Sequence, residues 1–344
     1  MRLLVTGGAG FIGSNFIRYM LNKYATYQIV NVDALTYAGN LENLKDIEMN
    51  PNYSFVHADI TDAVKMNRIL QSGVDVIVHF AAESHVDRSI LNPSAFLQTN
   101  VMGTQVLLDA AIKHKVRKFM HISTDEVYGS LGPTGFFQET TPLSPNSPYS
   151  ASKACSDLLV RAYHETFGLP IHITRCSNNY GQYQFPEKLI PLMIINAIED
   201  KPLPVYGDGQ NVRDWLHVED HCAALDLVLH NGRDGEVYNV GGNNERTNID
   251  IVRSILSALN KPGDLIQFVT DRPGHDRRYA IDATKIRTEL GWSPKYSLDL
   301  GLQQTIQWYR DHEDWWERIR SGAYRDYVKA TSPFQTRDTV GEEP

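Results

Sequence analysis

The sequence predicts an α/β protein built on a doubly wound parallel sheet, with a smaller, interleaved C-terminal lobe. Three observations carry that prediction. A short apolar run, Leu3 to Val5, breaks into a glycine-spaced turn at Gly7, Gly10 and Gly13; a second apolar run ends in Asp33; and strand-like and helix-like stretches then alternate.

In the first stretch, MRLLVTGGAGFIG, each glycine has a separate task. Gly7 permits a tight turn, Gly10 lets backbone N–H groups approach a pyrophosphate, and Gly13 lets the following helix lie close on the strand. Asp33 closes the run Ile29 to Val32, 20 residues after Gly13. An acid there accepts hydrogen bonds from an adenosine ribose and repels a 2'-phosphate, so the pattern predicts NAD rather than NADP.

The alternation continues. Tyr53 to Val56 and Val74 to Phe80 read as strands, with a helix over Asp62 to Gln71 between them. A helical run over Ala95 to His114 follows Pro93, then Lys118 to Ser123 is another strand. Residues 129–148, rich in Pro, Gly, Ser and Thr, predict a long loop over the site. A helix near Tyr149 and a strand over Ile171 to Arg175 complete the first unit, taken as residues 1–177 with later segments returning to it.

From Asn178 the chain becomes richer in proline and irregular, which marks the smaller lobe as residues 178–330. Helices are expected over Asp220 to His230, Ile249 to Leu259 and Leu298 to Ile319. The last carries Trp308, Trp315 and Trp316 as a packing stripe. Residues 331–344 read as a poorly ordered tail.

Composition narrows the partners. A net charge of −8 over 344 residues argues against a nucleic-acid surface. No apolar run reaches the length of a membrane span, and three cysteines without C-x-x-C spacing suit a reducing, cytoplasmic setting. His217 and His221 stand at metal-pair spacing, but the H-E-x-x-H order and a third ligand are missing, so no metal is expected.

Tyr149 and Lys153 are four apart on a predicted helix and share a face. An ammonium beside a phenol favours the phenolate, giving a base for a sugar hydroxyl. Tyr19 and Lys23 have the same spacing, but they sit in the first helix without the preceding strand-end hydroxyls Ser123 and Thr124.

Together, Gly7 to Gly13, Asp33, Ser123, Thr124, Tyr149 and Lys153 resemble the extended short-chain dehydrogenase/reductase family, over Met1 to about Tyr309. Within it, the run Thr124 to Gly129 (TDEVYG) and the run Ala81 to Ser89 (AAESHVDRS) resemble the nucleotide-sugar 4,6-dehydratases. The resemblance implies a Rossmann-type fold, tightly held NAD and a nucleotide-sugar substrate. Its catalytic residues would be Thr124, Asp125, Glu126, Tyr149 and Lys153. It implies cofactor contacts at Gly7, Gly10, Phe11, Ile12, Gly13, Asp33, Ala34, Leu35, Thr36, Asp59, Ile60, Ala81, Ala82, Thr99, Tyr149, Lys153 and Asn179. Substrate contacts would fall at Ser84, His85, Asp87, Thr124, Asn178, Lys188, Leu189, Pro204, Tyr206, Arg213, Asn248, Arg272 and His275. Family members commonly pair through two helices, which implies a homodimer through Ala95 to His114 and Ser150 to Phe167.

The adjacent carboxyls are the discriminating feature. Hydride removal and return at one carbon, as in a 4-epimerase, needs no further acid or base; eliminating water needs one of each. A NADP-using dehydratase is disfavoured by Asp33. A non-catalytic NAD-sensing scaffold is the reading from another class, and it would be expected to lack the tyrosine, lysine or carboxyls present here.

Overall fold

The computed structural model describes residues 1–323. The tail expected over 331–344 lies outside them. Seven short, mostly apolar segments form one wholly parallel sheet: β1 Arg2–Thr6, β2 Gln28–Asp33, β3 Tyr53–His57, β4 Val76–His79, β5 Lys118–Thr124, β6 Ile171–Cys176 and, from far along the chain, Glu236–Val240. The order, with the last strand written β10 once β7 Asn178–Tyr180, β8 Leu203–Tyr206 and β9 Val212–His217 are counted, is β10-β6-β5-β4-β1-β2-β3. The predicted doubly wound class is therefore the observed one. Parallel strands need crossovers that cover both faces, which is why they are buried runs rather than alternating ones.

Side chains of successive strand residues go to opposite faces. Leu3 and Val5 enter a core with Phe16 and Ile17 of α1 (Phe11–Lys23), whereas Leu4 enters the other core with Met66 and Leu70 of α2 (Ala63–Gln71). Three further helical segments follow: α3 Val86–Leu91, α4 Pro93–Phe96 and α5 Thr104–Lys113. The single helix expected over Ala95 to His114 is interrupted by a π-helical stretch, Leu97–Gly103. Its cause is visible in Asn100, whose side chain accepts from the Glu83 N–H and donates to the Ser152 hydroxyl instead of facing solvent. Such π turns place side chains that a regular helix would aim elsewhere.

The 20-residue helix α6, Pro148–Phe167, starts with Pro148 in its first turn and a reciprocal Ser147–Ser150 capping box. The preceding segment, residues 129–147, does not cover the site as expected. Leu131 and Phe137 donate backbone hydrogen bonds to Arg278 and Ala280, and Phe137 packs with Tyr128, Tyr279 and Ile281 in a separate small core.

The remaining elements are α7 Leu189–Ile198, α8 Val218–Asn231, β11 Glu245–Thr247, α9 Asn248–Ala258, β12 Ile266–Val269, α10 Thr284–Leu290, α11 Leu298–Asp311 and α12 Glu313–Ser321. β11, β9 and β7 make a three-stranded sheet and β12 pairs with β8. Helices α7, α9, α11 and α12 enclose a second core around Tyr180, Trp215 and Trp316. The one helix expected over Leu298 to Ile319 is two, broken at His312. The break lets the adjacent Trp315 and Trp316 both find partners: Trp315 Nε1 donates to Asn43 Oδ1 at 3.0 Å and Trp316 Nε1 to the Tyr309 carbonyl at 2.9 Å.

Trp316 is fully buried. Trp316→Ala is expected to lower unfolding free energy by about 3–5 kcal/mol, from lost burial and the cavity left behind. Urea unfolding followed by circular dichroism checks this, and an unchanged midpoint would contradict the packing described.

Candidate active site

In a doubly wound sheet the ligand cleft opens where the chain changes direction, outside the carboxyl ends of the strands. Here that point lies between β1 and β4, which are neighbours although β2 and β3 intervene in sequence. A cleft of about 310 Å³, open to solvent at its mouth, occupies it.

The floor of the cleft is set by glycine. Gly7 has φ +71°, and a Cβ on Gly13 would stand 2.4 Å from the Gly7 carbonyl, so the start of α1 can lie against the end of β1 only without side chains there. Gly10 is the N-cap of α1, no side chain caps that terminus and no acid lies in its first turn. Its unbonded N–H groups therefore suit an anionic ligand. Asp33, at the end of β2, holds its carboxylate in place through N–H groups of Ala9 and Leu35, at 2.9 and 2.8 Å.

The lining includes Gly7, Gly10, Phe11, Ile12, Gly13, Asp33, Ala34, Thr36, Asp59, Ile60, Ala81, Ala82, Ser84, Thr99, Thr124, Glu126, Tyr149, Lys153, Asn178, Asn179 and Lys188. Thr99 reaches it from the π turn. Leu35 is not in the lining; its amide instead anchors Asp33. Sequence reasoning missed Tyr37, Cys176, Ser177, Gln184, Phe185 and Glu187, which also face the cleft. Glu187 precedes Lys188 and Cys176 precedes Asn178 by two, so proximity to named residues was the available signal. Tyr37 offered none.

Tyr149 and Lys153 project from the first turns of α6, both buried. Lys153 Nζ donates to the Ile122 carbonyl at 2.8 Å, and burial lowers its pKa to about 8. The expectation that Lys153 lowers the Tyr149 pKa is not what the geometry produces. Burial, followed by the Glu126 carboxyl, pushes the phenol well above its ordinary value, and the hydrogen bond with Thr124 only partly offsets this. In a low-dielectric site the loss of hydration of the phenolate is the larger effect.

Asp125 and Glu126 occupy a 3-10 turn, Asp125–Tyr128, directly after β5. Thr124 caps it, accepting the Glu126 N–H at 3.3 Å. The two carboxyls experience different surroundings. Burial, then Glu126 and Asp214, drive Asp125 well above the carboxylate range, and one of its oxygens is buried without a partner. Burial raises Glu126 too, but Arg272, Arg213 and Lys188 each pull it down. Neighbouring acids pushed apart in this way can serve as proton donor and proton acceptor.

Those three cations belong to the other lobe. Arg213 is buried against the Tyr279 ring at 4.3 Å and donates to the Asp276 carbonyl, so it forms no surface pair with Asp214, whose carboxylate accepts the Gly242 and Asn244 N–H groups. Arg272 Nη1 and the Tyr206 hydroxyl both meet Asp87, and His275 meets Asp271. Lys188 Nζ donates to the Ser84 carbonyl. Arg272 Nε and Asn248 Oδ1 are buried without partners. Asp125, His85, Asp87, Leu189, Pro204, Tyr206, Arg213, Asn248, Arg272 and His275 do not line the cleft; Leu189 packs on the second core and His85 lies 3.7 Å from Glu187. Of the histidine pair, His217 caps α8 and stacks on Tyr296, while His221 Nδ1 donates to Asn179 Oδ1 at 2.8 Å.

A parallel sheet with a glycine-cradled helix terminus, a ribose-ready acid and a Tyr–Lys pair beside the cleft defines a dinucleotide-dependent enzyme of the short-chain dehydrogenase/reductase class. Within that class the chain belongs to the GDP-mannose 4,6 dehydratase family, whose model matches residues 4–305. It is 54% identical to the dTDP-glucose 4,6-dehydratase of Xanthomonas campestris pv. campestris (strain B100), covering 94% of this chain and 97% of that protein. The dTDP-glucose 4,6-dehydratase of Bacillus anthracis, crystallised in complex with NAD, is 56% identical, with TM-score 0.88 over 93% of this chain and 99% of that one. UDP-glucose 4-epimerase of Thermotoga maritima shares the fold at 31% identity, TM-score 0.84, over 90% and 99% of the two chains.

Because burial raises Asp125, it should hold its proton to higher pH than an exposed carboxyl. Difference infrared spectroscopy of wild type against Asp125→Asn over a pH series is expected to show a protonated-carboxyl stretch that outlasts those of exposed carboxyls as pH rises and is lost in the variant. A band that disappears together with the exposed carboxyls would contradict the raised proton affinity.

Proposed function

We propose that this chain dehydrates dTDP-glucose to dTDP-4-keto-6-deoxyglucose, a hydro-lyase reaction in which NAD is regenerated at every turnover. One observation carries the choice of elimination over epimerisation: Glu126 lines the cleft with Tyr149 and Lys153, Asp125 stands next to it in the chain near enough for its charge to act on Tyr149, and the two carboxyls have environments that separate their proton affinities. An epimerase would leave such a buried pair unused. The high identity to dTDP-glucose 4,6-dehydratases over nearly the whole chain supports the substrate.

The uncapped N-terminus of α1 and the Asp33 carboxylate fit a dinucleotide pyrophosphate and ribose, with Thr36, Asp59, Ala81 and Thr99 along its length. When bound, NAD supplies a hydride acceptor for C4 and a donor for C6, and its oxidised ring brings a positive charge that favours the Tyr149 phenolate. Tyr149 takes the 4-hydroxyl proton, with Thr124 holding its hydroxyl and Lys153, one helical turn on, anchored to the Ile122 carbonyl. The resulting 4-ketone acidifies C5–H. Glu126 removes that proton while Asp125 gives its own to the C6 hydroxyl, which leaves as water. Glu126 then returns its proton to C5, which would complete the exchange that the cofactor's hydride donation to C6 requires. The proton gained from the 4-hydroxyl balances the one lost from Asp125.

Asn178, Lys188, Arg213, Asn248, Arg272 and His275 are read as the nucleotide-sugar grip, Arg213 and Arg272 being suited to paired phosphate oxygens. On this reading residues 1–177 with β10 hold the cofactor and the chain from 178 onward holds the sugar nucleotide. No helix among the described residues is long and apolar enough to cross a membrane. Free thiols at Cys155, Cys176 and Cys222 support a cytoplasmic setting, and the product suits dTDP-deoxysugar formation, a dTDP-rhamnose route being the one proposed.

Incubation with dTDP-glucose should give a product lighter by one water, detected by mass spectrometry. Asp125→Asn combined with Glu126→Gln should still form reduced nicotinamide transiently yet release no water. Near-normal product from that variant would overturn the roles given to the two acids.

A homodimer is part of the same proposal. Leu91, Leu97, Met102, Leu158 and Phe167 are 86%, 52%, 49%, 56% and 58% exposed, and they lie on α3, the π turn and α6. Single exposed apolar residues are ordinary; several on adjoining helices suit a self-complementary surface. Leu97→Arg with Leu158→Arg is expected to convert a dimer to a monomer in light scattering, and an unchanged mass would count against these helices as the interface.

A further inference from the structure

The two halves of the proposed chemistry stand on different elements: Tyr149 and Lys153 on α6, Asp125 and Glu126 on the 3-10 turn that ends in Tyr128. One buried line of side chains joins them. Asp157, two turns beyond Tyr149 on α6, accepts from Arg175 Nε at 2.8 Å through its Oδ2. Arg175 Nη1 donates to the Tyr128 hydroxyl at 2.9 Å, and its guanidinium lies 4.9 Å from the centre of the Tyr128 ring. The Tyr128 hydroxyl donates onward to Asn239 Oδ1 on β10 at 2.8 Å. Asp157, Arg175, Tyr128 and Asn239 are all buried.

This line touches no part of the cleft: none of its four residues lines it. Nor is a buried ion pair a strong source of stability, since the cost of removing two charges from water can exceed their attraction. What it does supply is a fixed position. Burial alone would raise Asp157, but its hydrogen bond with His121 and the charge of Arg175 outweigh that and hold it at about 2, so the pair stays charged. Arg175 is thereby held with one face toward Asp157 and one N–H toward Tyr128.

The consequence differs for the two elements. Helix α6 has several other anchors: the Ser147–Ser150 box, Lys153 to the Ile122 carbonyl, Ser156 to the Asn100 carbonyl, and His121 Nε2 at 3.3 Å from Asp157. The turn is only four residues long. Its start is fixed by Thr124; its end is tied by the Ser144 N–H to the Val127 carbonyl at 3.0 Å and, from a side chain, by the Tyr128 hydroxyl, two residues from Glu126. We propose that Tyr128, held by Arg175 and Asp157, is a positioning residue for the elimination step, setting where Asp125 and Glu126 stand relative to Tyr149. The inference rests on the roles assigned to those two acids above.

The test is a single turnover of the NAD-loaded enzyme in excess over dTDP-glucose. The near-ultraviolet absorbance of reduced nicotinamide is followed beside quenched samples weighed for water loss. In Tyr128→Phe the rise of reduced nicotinamide should stay within about twofold of wild type, while its decay and the loss of water slow about tenfold, so that reduced cofactor accumulates. A general loosening of the fold would slow both phases alike, and that result, or no change in either, overturns the proposal. Arg175→Lys, which keeps a charge near Asp157 but cannot serve both Asp157 and the Tyr128 hydroxyl, should shift the same ratio, and it decides the matter if Tyr128→Phe does not fold. Wild type that removes no water from dTDP-glucose would instead defeat the functional reading itself.

Discussion

The close approach of α1 to the end of β1 is the constraint on which the rest of the molecule depends. A Cβ at Gly13 would fall 2.4 Å from the Gly7 carbonyl, and one at Gly7 would fall 2.6 Å from the Ala81 amide. Without side chains at these points, the N-terminus of α1 sits over the carboxyl ends of β1 and β4, so its unbonded N–H groups face the cleft. Asp33, Asp59 and Ala81 reach the same opening because parallel strands all end on one side. The cofactor contacts proposed at Gly10, Asp33, Asp59 and Ala81 follow from that shared edge.

Electrostatics divides the labour in the second half of the site. Two adjacent acids in a buried turn would both tend to hold protons. The opposite lobe breaks the symmetry by placing Lys188, Arg213 and Arg272 where Glu126 feels them more than Asp125 does. One acid is thereby prepared to give a proton and the other to take one. The same three cations are those assigned to the substrate's diphosphate, so grip and proton placement draw on one cluster.

Much of this was legible in the chain because the relevant signals are local. The glycine spacing, Asp33 at the end of a strand, Tyr149 and Lys153 one helical turn apart, and the two consecutive acids all lie within short windows whose geometry is set by element type. The departures have local causes that lie far away in sequence. The π turn follows from Asn100 bonding Ser152; the break at His312 follows from Trp315 reaching Asn43; residues 129–147 leave the cleft because they pair with 278–282. Tyr149 illustrates the limit most clearly, since the Lys153 spacing predicted a lowered pKa whereas burial, which no spacing reveals, raises it.

The sequence by itself determined the parallel α/β class and the dinucleotide preference and pointed to the side chains proposed to react, because strand and helix periods and neighbouring residues carry those signals. Only the tertiary structure decided which acid is raised the more, which cations stand across from it, and how Asp157, Arg175 and Tyr128, widely spaced in the chain, form one buried line. Proton affinity and side-chain position depend on what surrounds a group in space, and the chain brings those surroundings together only when it folds.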